Sequence, residues 1–172
     1  NGPGIICFDS PAVLQNISFG PGIIIVSKHR LTFRQTVNAE HILVYGRHID
    51  IIGCRLCGHF YASHSIQILQ HSQLLYPSLL ALIYETDQDN NKIIFKKECL
   101  LQGMIMALSQ PEFISSQLIS RVHTFPGSNV KGLIYSDSYC SVEGTVNGLI
   151  TASGFYKMHG STYHLNKTAK LH

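Results

Sequence analysis

The sequence predicts an all-β chain wound into a β-solenoid, that is, a parallel β-helix, with irregular loop inserts. The first of three observations behind this is an internal repeat. Val130-Lys131-Gly132-Leu133-Ile134-Tyr135-Ser136 returns sixteen residues later as Val146-Asn147-Gly148-Leu149-Ile150-Thr151-Ala152, and Tyr139, Val142 and Gly144 are echoed by Phe155, Met158 and Gly160. The second is an earlier spread of the same apolar-x-Gly-apolar-apolar phrase. It occurs at Leu101-Gln102-Gly103-Met104-Ile105 and Leu56-Cys57-Gly58-His59-Phe60, with degenerate copies around Ser78 and at Val37-Asn38-Ala39. The slots 39, 58, 78, 103, 132 and 148 are thus 19, 20, 25, 29 and 16 residues apart. The third is texture: short apolar runs and polar breaks, with almost no helical periodicity. Repeats of this length without helices stack as successive rungs of a coil.

The elements follow in order. Gly4 to Phe8 and Gly22 to Ser27 read as strands, with Gly2-Pro3 and Gly20-Pro21 as punctuation. These belong to an N-terminal region of strands or cap, 1–36. Repeat rungs fill 37–161, in runs such as His41 to Tyr45, His48 to Ile52, Ser65 to Leu69, Leu79 to Tyr84, Lys92 to Phe95 and Met104 to Leu108. Most are 4 to 6 residues long and rich in Ile, Val, Leu and aromatics, as half-buried strands are. Each unit reads as two strands, Gly58 to Tyr61 leading to Ile66 to Ile68, and Ser78 to Leu80 leading to Ile93 to Phe95. Glu85 to Asn91 is a polar projecting loop. Ser109 to Ser120 is the one candidate helix, favoured by Pro111 and Glu112 at its start and opposed by its mixed apolar pattern. Thr162 to His172 is a polar, basic tail that either blunts the last edge or serves as a linker. The whole, 1–172, is one domain.

The glycine slot has a physical reading. A corner between strands favours a residue that tolerates positive φ and leaves room for the neighbouring rung, and glycine offers both. The apolar residues after it are expected to fill the interior, with Leu133 and Leu149 stacked in one interior column.

Composition narrows the function. Charged residues make up only 13% of the chain, and the net charge is +3 with ten histidines left neutral. Lys and Arg are scattered, so there is no basic stripe of the kind nucleic acid requires. No apolar run is long enough for a membrane span. The chain starts at Asn1 and reads as a mature or excised piece. Five cysteines, at 7, 54, 57, 99 and 140, do not have the spacing of a disulfide framework and read as small apolar core residues.

Four constellations could carry chemistry. Cys54-Arg55-Leu56-Cys57-Gly58, with His59 and His64 close behind, looks like half of a zinc knuckle. It lacks a second ligand pair, and on a strand its two thiols would point to opposite faces. His29, His41, His48 and His71, with Arg47, could form a polar ladder that binds metal or titrates near pH 6. The tyrosines at 45, 61, 76, 84, 135, 139, 156 and 163 could stack on sugar rings, or on one another across rungs. Glu85, Asp87 and Asp89 could take calcium, but without the dense Asp/Gly pattern of a calcium loop they read as a solvated turn. No nucleophile elbow, zinc-protease helix, phosphate loop or dinucleotide fingerprint is present, so no catalytic, cofactor or metal residue is assigned.

The stretch from Val130 to about His164 resembles bactofilins, the bacterial polymer-forming β-solenoid scaffolds. The likeness lies in the tandem Val-x-Gly-Leu-Ile phrases at 130–134 and 146–150, with Val142-Glu143-Gly144-Thr145-Val146-Asn147-Gly148 spanning the join. It covers about a fifth of the chain, and the irregular spacings of 25 and 29 depart from the family's even rungs. The resemblance implies a right-handed solenoid with scaffold or assembly behaviour and supplies no catalytic residue. The resulting expectation is a non-enzymatic structural or interaction module of a bacterial cell envelope or surface, or one associated with the cytoplasmic membrane. Its expected partners are another copy, held by weak end-to-end association, and an unidentified protein or glycan ligand. A carbohydrate-binding or carbohydrate-active β-helix is the alternative.

Overall fold

The computed structural model describes residues 3–35, 38–84, 91–109, 119–159 and 162–166; for 38, 156–159 and 162–166 it describes the backbone alone. Val37, the insert at 85–90, the candidate helix segment at 110–118, Gly160 and the last residues, 167–172, lie outside this set. So do the acidic side chains Glu85, Asp87 and Asp89.

Fourteen strands are present among the described residues: β1 Gly4–Phe8, β2 Ala12–Leu14, β3 Ser18–Phe19, β4 Ile23–Ser27, β5 Arg30–Arg34, β6 Asn38–Ile52, β7 Arg55–Leu69, β8 Gln73–Tyr84, β9 Lys92–Phe95, β10 Leu100–Ser109, β11 Ser120–Thr124, β12 Asn129–Val142, β13 Thr145–His159 and β14 Thr162–Asn166. All pairings are parallel except that of β13 with β14.

The all-β expectation holds, but the open right-handed solenoid is corrected. The pairing closes on itself into a six-strand parallel barrel, β7–β8–β10–β12–β11–β9, with the other strands outside it. Closure comes from two long strands. β7 pairs β8 through Arg55–Ala62 and β9 through Ser65–Ile68. β12 pairs β10 through Asn129–Ser136 and β11 through Tyr139–Val142. Repeat spacing tells which residues lie side by side; it does not tell that two strands reach both sides and join the pairing into a ring. The unit of two separate short strands is likewise replaced in β6, β7, β12 and β13 by a single strand of 14 or 15 residues.

The repeated phrases from Gly58 onward lie in register, but the slot read at Ala39 does not: Ala39 pairs Leu56, and Gly58 pairs Ile42. Gly132 pairs Gly148, Leu133 pairs Leu149 and Ile134 pairs Ile150, while Gly103 sits between Ser78 and Gly132. The interior assignment was one residue out. Leu149 is 58% exposed, and the buried column is the next residue along: Ile25, Val44, Phe60, Leu80, Ile105 and Ile134, each with no accessible surface. Successive strand pairings carry this column from Ile6 to Ile150. A second column runs Leu31, Ile49, Ile66, Ile93, Val122 and Cys140, all fully buried. A third runs Ala39, Leu56, Leu74, Leu101 and Val130. Phe33 and Phe60 meet edge to face, centroids 6.0 Å apart, and tie two columns together. Each large apolar side chain so buried contributes roughly 1.5–3 kcal/mol relative to exposure.

The glycines sit inside strands rather than between them. Gly103, Gly132 and Gly148 have φ of 151°, 146° and 155°, and a Cβ on each would overlap the carbonyl oxygen of Ser78, Gly103 and Gly132 respectively. Glycine is therefore needed because one backbone bends directly over the next.

The stretch read as a polar tail opens with β14, which pairs Phe155–His159 of β13. No helix of the described residues is long and apolar enough to cross a membrane.

This geometry predicts a contrast between glycines. Gly132→Ala should cost about 3 kcal/mol or more, since backbone must move to admit the methyl group. Gly20→Ala, where nothing lies within 4 Å, should stay within about 0.5 kcal/mol of the parent. Urea unfolding followed by circular dichroism measures both, and equal midpoints would contradict the close-approach account.

Candidate functional site: a strand edge and a tyrosine groove

Two surface features stand out. The first is the outer edge of β13. Its Thr145–Ala152 half pairs β12 on one side, whereas on the other, among the described residues, β14 accompanies only Phe155–His159. An uncovered parallel edge presents a row of backbone donors and acceptors that can receive another strand. Leu149 projects from this edge, and Ile5, 69% exposed, projects from β1, whose one partner among the described residues is β4.

The second is a groove of about 420 Å³ where the strands bend between their two halves. Gly46 and Ala62 line it and keep it low, with Ser27 and Ser63 beside them. Tyr45 and Tyr61, paired across β6 and β7, rise on one side with rings stacked 5.1 Å apart at 17°, and Ile83 extends that apolar wall. Lys28 and Arg47 add positive charge. Arg47 Nη2 lies 3.0 Å from His64 Nε2, so the arginine donates and the histidine accepts.

The expected histidine ladder is only partly assembled. His48 and His64 meet edge to face at 5.3 Å, and His48 Nδ1 is 2.9 Å from Ser65 Oγ. Burial, then Arg30, holds the His48 ring below the usual histidine value. His41 and His71 sit elsewhere, at positive-φ positions, with His71 3.0 Å from Glu98. His29 touches the cluster through its backbone, its carbonyl accepting from the Arg47 amide.

Cys54 and Cys57 are both buried and do not converge. Cys54 Sγ donates to the Ile52 carbonyl, while Cys57 Sγ faces the Tyr76 carbonyl at 3.5 Å and His41 Nδ1 at 3.9 Å. The pair His41 and Cys57 lines a second groove with Glu40, Arg55 and Tyr76. The thiol there is turned to backbone rather than held by the ring. Among the described residues, no three His, Cys, Asp or Glu side chains gather as a metal set. Cys7, Cys99 and Cys140 are also free thiols, and burial pushes Cys140 up to about 12.

Of the other tyrosines, Tyr84 belongs to a polar cluster that the sequence reading missed. Its hydroxyl donates to Asp137 Oδ1 at 3.0 Å, and burial raises it above the usual phenol value. Asp137 Oδ2 also accepts from the Ser109 hydroxyl at 2.6 Å. Fully buried Arg121 lies over the Tyr84 ring and donates to the Asn91 carbonyl. An arginine inside an apolar-polar-apolar run was the available signal, but Tyr84, Arg121 and Asp137 lie too far apart in sequence to be linked by pattern.

Comparison with family models, with curated proteins and with solved structures finds no match to the chain, and nothing in it indicates a relationship to bactofilins.

Two measurements check this chemistry. Native protein should show one fast thiol per chain, Cys7, toward a disulfide reagent, and all five after denaturation; Cys7→Ser should remove the fast phase. A second fast thiol at Cys57 would revive the Cys57–His41 pair as a reactive site. Stability should fall as pH drops below about 6.5, because burial keeps His48 and His123 neutral and the unfolded chain takes up protons more readily. His123→Gln should flatten the dependence of melting temperature on pH.

Proposed function

We propose that the chain is a non-enzymatic structural module that joins copies of itself through strand edges. The observation that carries this reading is the Thr145–Ala152 half of β13, which no strand among the described residues covers on its outer side. A strand continuing the pairing there must pass over the Gly148 carbonyl, and the preceding steps show a glycine, free of Cβ, meeting that need at Gly103, Gly132 and Gly148. The chain holds a suitable strand. Ile6 of β1 lies in the same buried column as Ile150, and Gly4 stands two residues before Ile6 as Gly148 does before Ile150. Docking β1 of a second copy would set Gly4 on Gly148, Ile6 on Ile150 and exposed Ile5 beside exposed Leu149. β14 occupies the adjoining half, so the contact is limited to one short strand and is weak.

Sedimentation velocity over a wide concentration range tests this. The intact chain should associate weakly and reversibly, and Leu149→Lys should abolish association while leaving the circular dichroism spectrum unchanged. Removal of the residues after His159 should increase mass growth by freeing the rest of the edge. A strict monomer in both the intact and the shortened chain would overturn the proposal.

A further inference from the structure

The geometry points to the groove beside Tyr45 and Tyr61 as a binding site for an acidic polysaccharide, a chain of uronic-acid sugars. This goes beyond self-association and uses a different surface. The groove follows the stacking direction across β6 and β7 and spans Ser27 to Ile83, a shape suited to an extended chain rather than a compact molecule. Its aromatic wall is exposed where it matters: Tyr45 keeps 42% of its surface and Ile83 likewise 42%. Sugar rings present apolar C–H faces that pack on aromatic rings, and the Tyr45 and Tyr61 hydroxyls, which bond no side chain among the described residues, can bond sugar hydroxyls at the rim.

Charge selects among sugars. Lys28 and Arg47 line the groove, and none of its lining residues among the described residues is acidic. The nearby carboxylate Asp50 is already held by Arg30 at 2.5 Å. Arg47 is held by His64, which leaves its planar guanidinium oriented for a carboxylate. Small residues at 46 and 62 are what allow a chain to settle between wall and cations. An acidic peptide would satisfy the cations but not the stacked rings, and the groove offers no open strand edge to pair its backbone.

The sequence has no tryptophan, so tyrosine emission reports binding without added dye. The intact protein is titrated at low salt with a defined galacturonic-acid oligomer, a neutral cello-oligomer of equal length and poly-glutamate. Saturable binding is expected for the uronate oligomer, at least tenfold tighter than for either control, and weakened by salt. Tyr61→Ala and Arg47→Ala, followed by calorimetry because the first removes a reporter, should each lower uronate affinity tenfold or more. Tyr135→Ala, on the same sheet face outside the groove, should leave it unchanged. Circular dichroism confirms that each variant is folded. Equal binding of poly-glutamate, unaffected by Tyr61→Ala, would reduce the site to plain charge attraction and overturn the inference; so would preference for the neutral oligomer or the absence of saturable uronate binding.

Discussion

The close passage of one backbone over the next at the glycine column is the constraint on which the rest of the structure depends. At Gly103, Gly132 and Gly148 the space a side chain would need is taken by the carbonyl of the preceding strand. That contact fixes register absolutely, because sliding by one residue would drive Gln102, Lys131 or Asn147 into the same oxygen. Register fixed at one point carries through the uninterrupted ladder that follows, as from Gly132 to Ser136, before the irregular step between Ser136 and Tyr139, since successive side chains alternate sides. Ile105, Ile134 and Ile150 therefore stack inward, and Met104, Leu133 and Leu149 stack outward. Where glycine is absent, the column adapts: Ser78 turns its hydroxyl to the Leu75 carbonyl and also takes the Gly58 amide.

The same rule shows why the ends of the chain differ from its middle. Near Gly4 the phrase Gly-Pro-Gly-Ile-Ile occurs at 2–6 and again at 20–24, and pairing by likeness would set Ile5 on Ile23. The observed pairing sets Ile5 on Ile24 and Ile6 on Ile25. Gly22 adopts φ of 81° in a turn and does not join the column. With no glycine contact there to dictate the register, burial decides it: Ile25 is wholly buried, and Ile6 packs against the core beside it.

Sequence likeness was thus legible where a steric contact enforces it and misleading where only composition repeats. The pairing of 130–136 with 146–152 could be read directly from the tandem phrases. The inward side could not, because both residues after the glycine are apolar and a bend at a residue of positive φ shifts the alternation. Ring closure was hidden for a different reason. β7 and β12 carry polar residues at their midpoints, such as Ser63, His64, Asp137 and Ser138, which read as breaks yet only mark the place where a continuous strand turns. Of the surface chemistry, even the aromatic pair was not legible from phrase positions: Tyr45 lies six residues after Ala39 and Tyr61 three after Gly58, and the irregular step between Ala39 and Ile42 brings the two side by side. The cations beside them were no more legible, because Lys28 reaches the groove from the bend between β4 and β5 and Arg47 from the irregular step of β6 between Gly46 and His48, neither of which the repeat sets.

The bends that concealed the closure are also what give this surface its relief. A flat parallel sheet would expose alternate side chains evenly and offer a ligand no depth. Here the strands turn at Gly46 and beyond Ala62, and small residues at the turn leave a trough between the tyrosine wall and the cationic side. The bend beyond Ala107 and Ser136 is occupied instead, with Asp137 receiving the hydroxyls of Tyr84 and Ser109 and Arg121 packed beneath the tyrosine ring. Two bends on the same barrel are thus filled in opposite ways. One is filled by a polar cluster, Tyr84, Ser109 and Asp137 with Arg121, whose members bond within the protein. The other keeps Lys28 and Arg47 on an open groove, and that difference, rather than the count of aromatic or basic residues, is why the Tyr45–Tyr61 surface is the one proposed for an external partner.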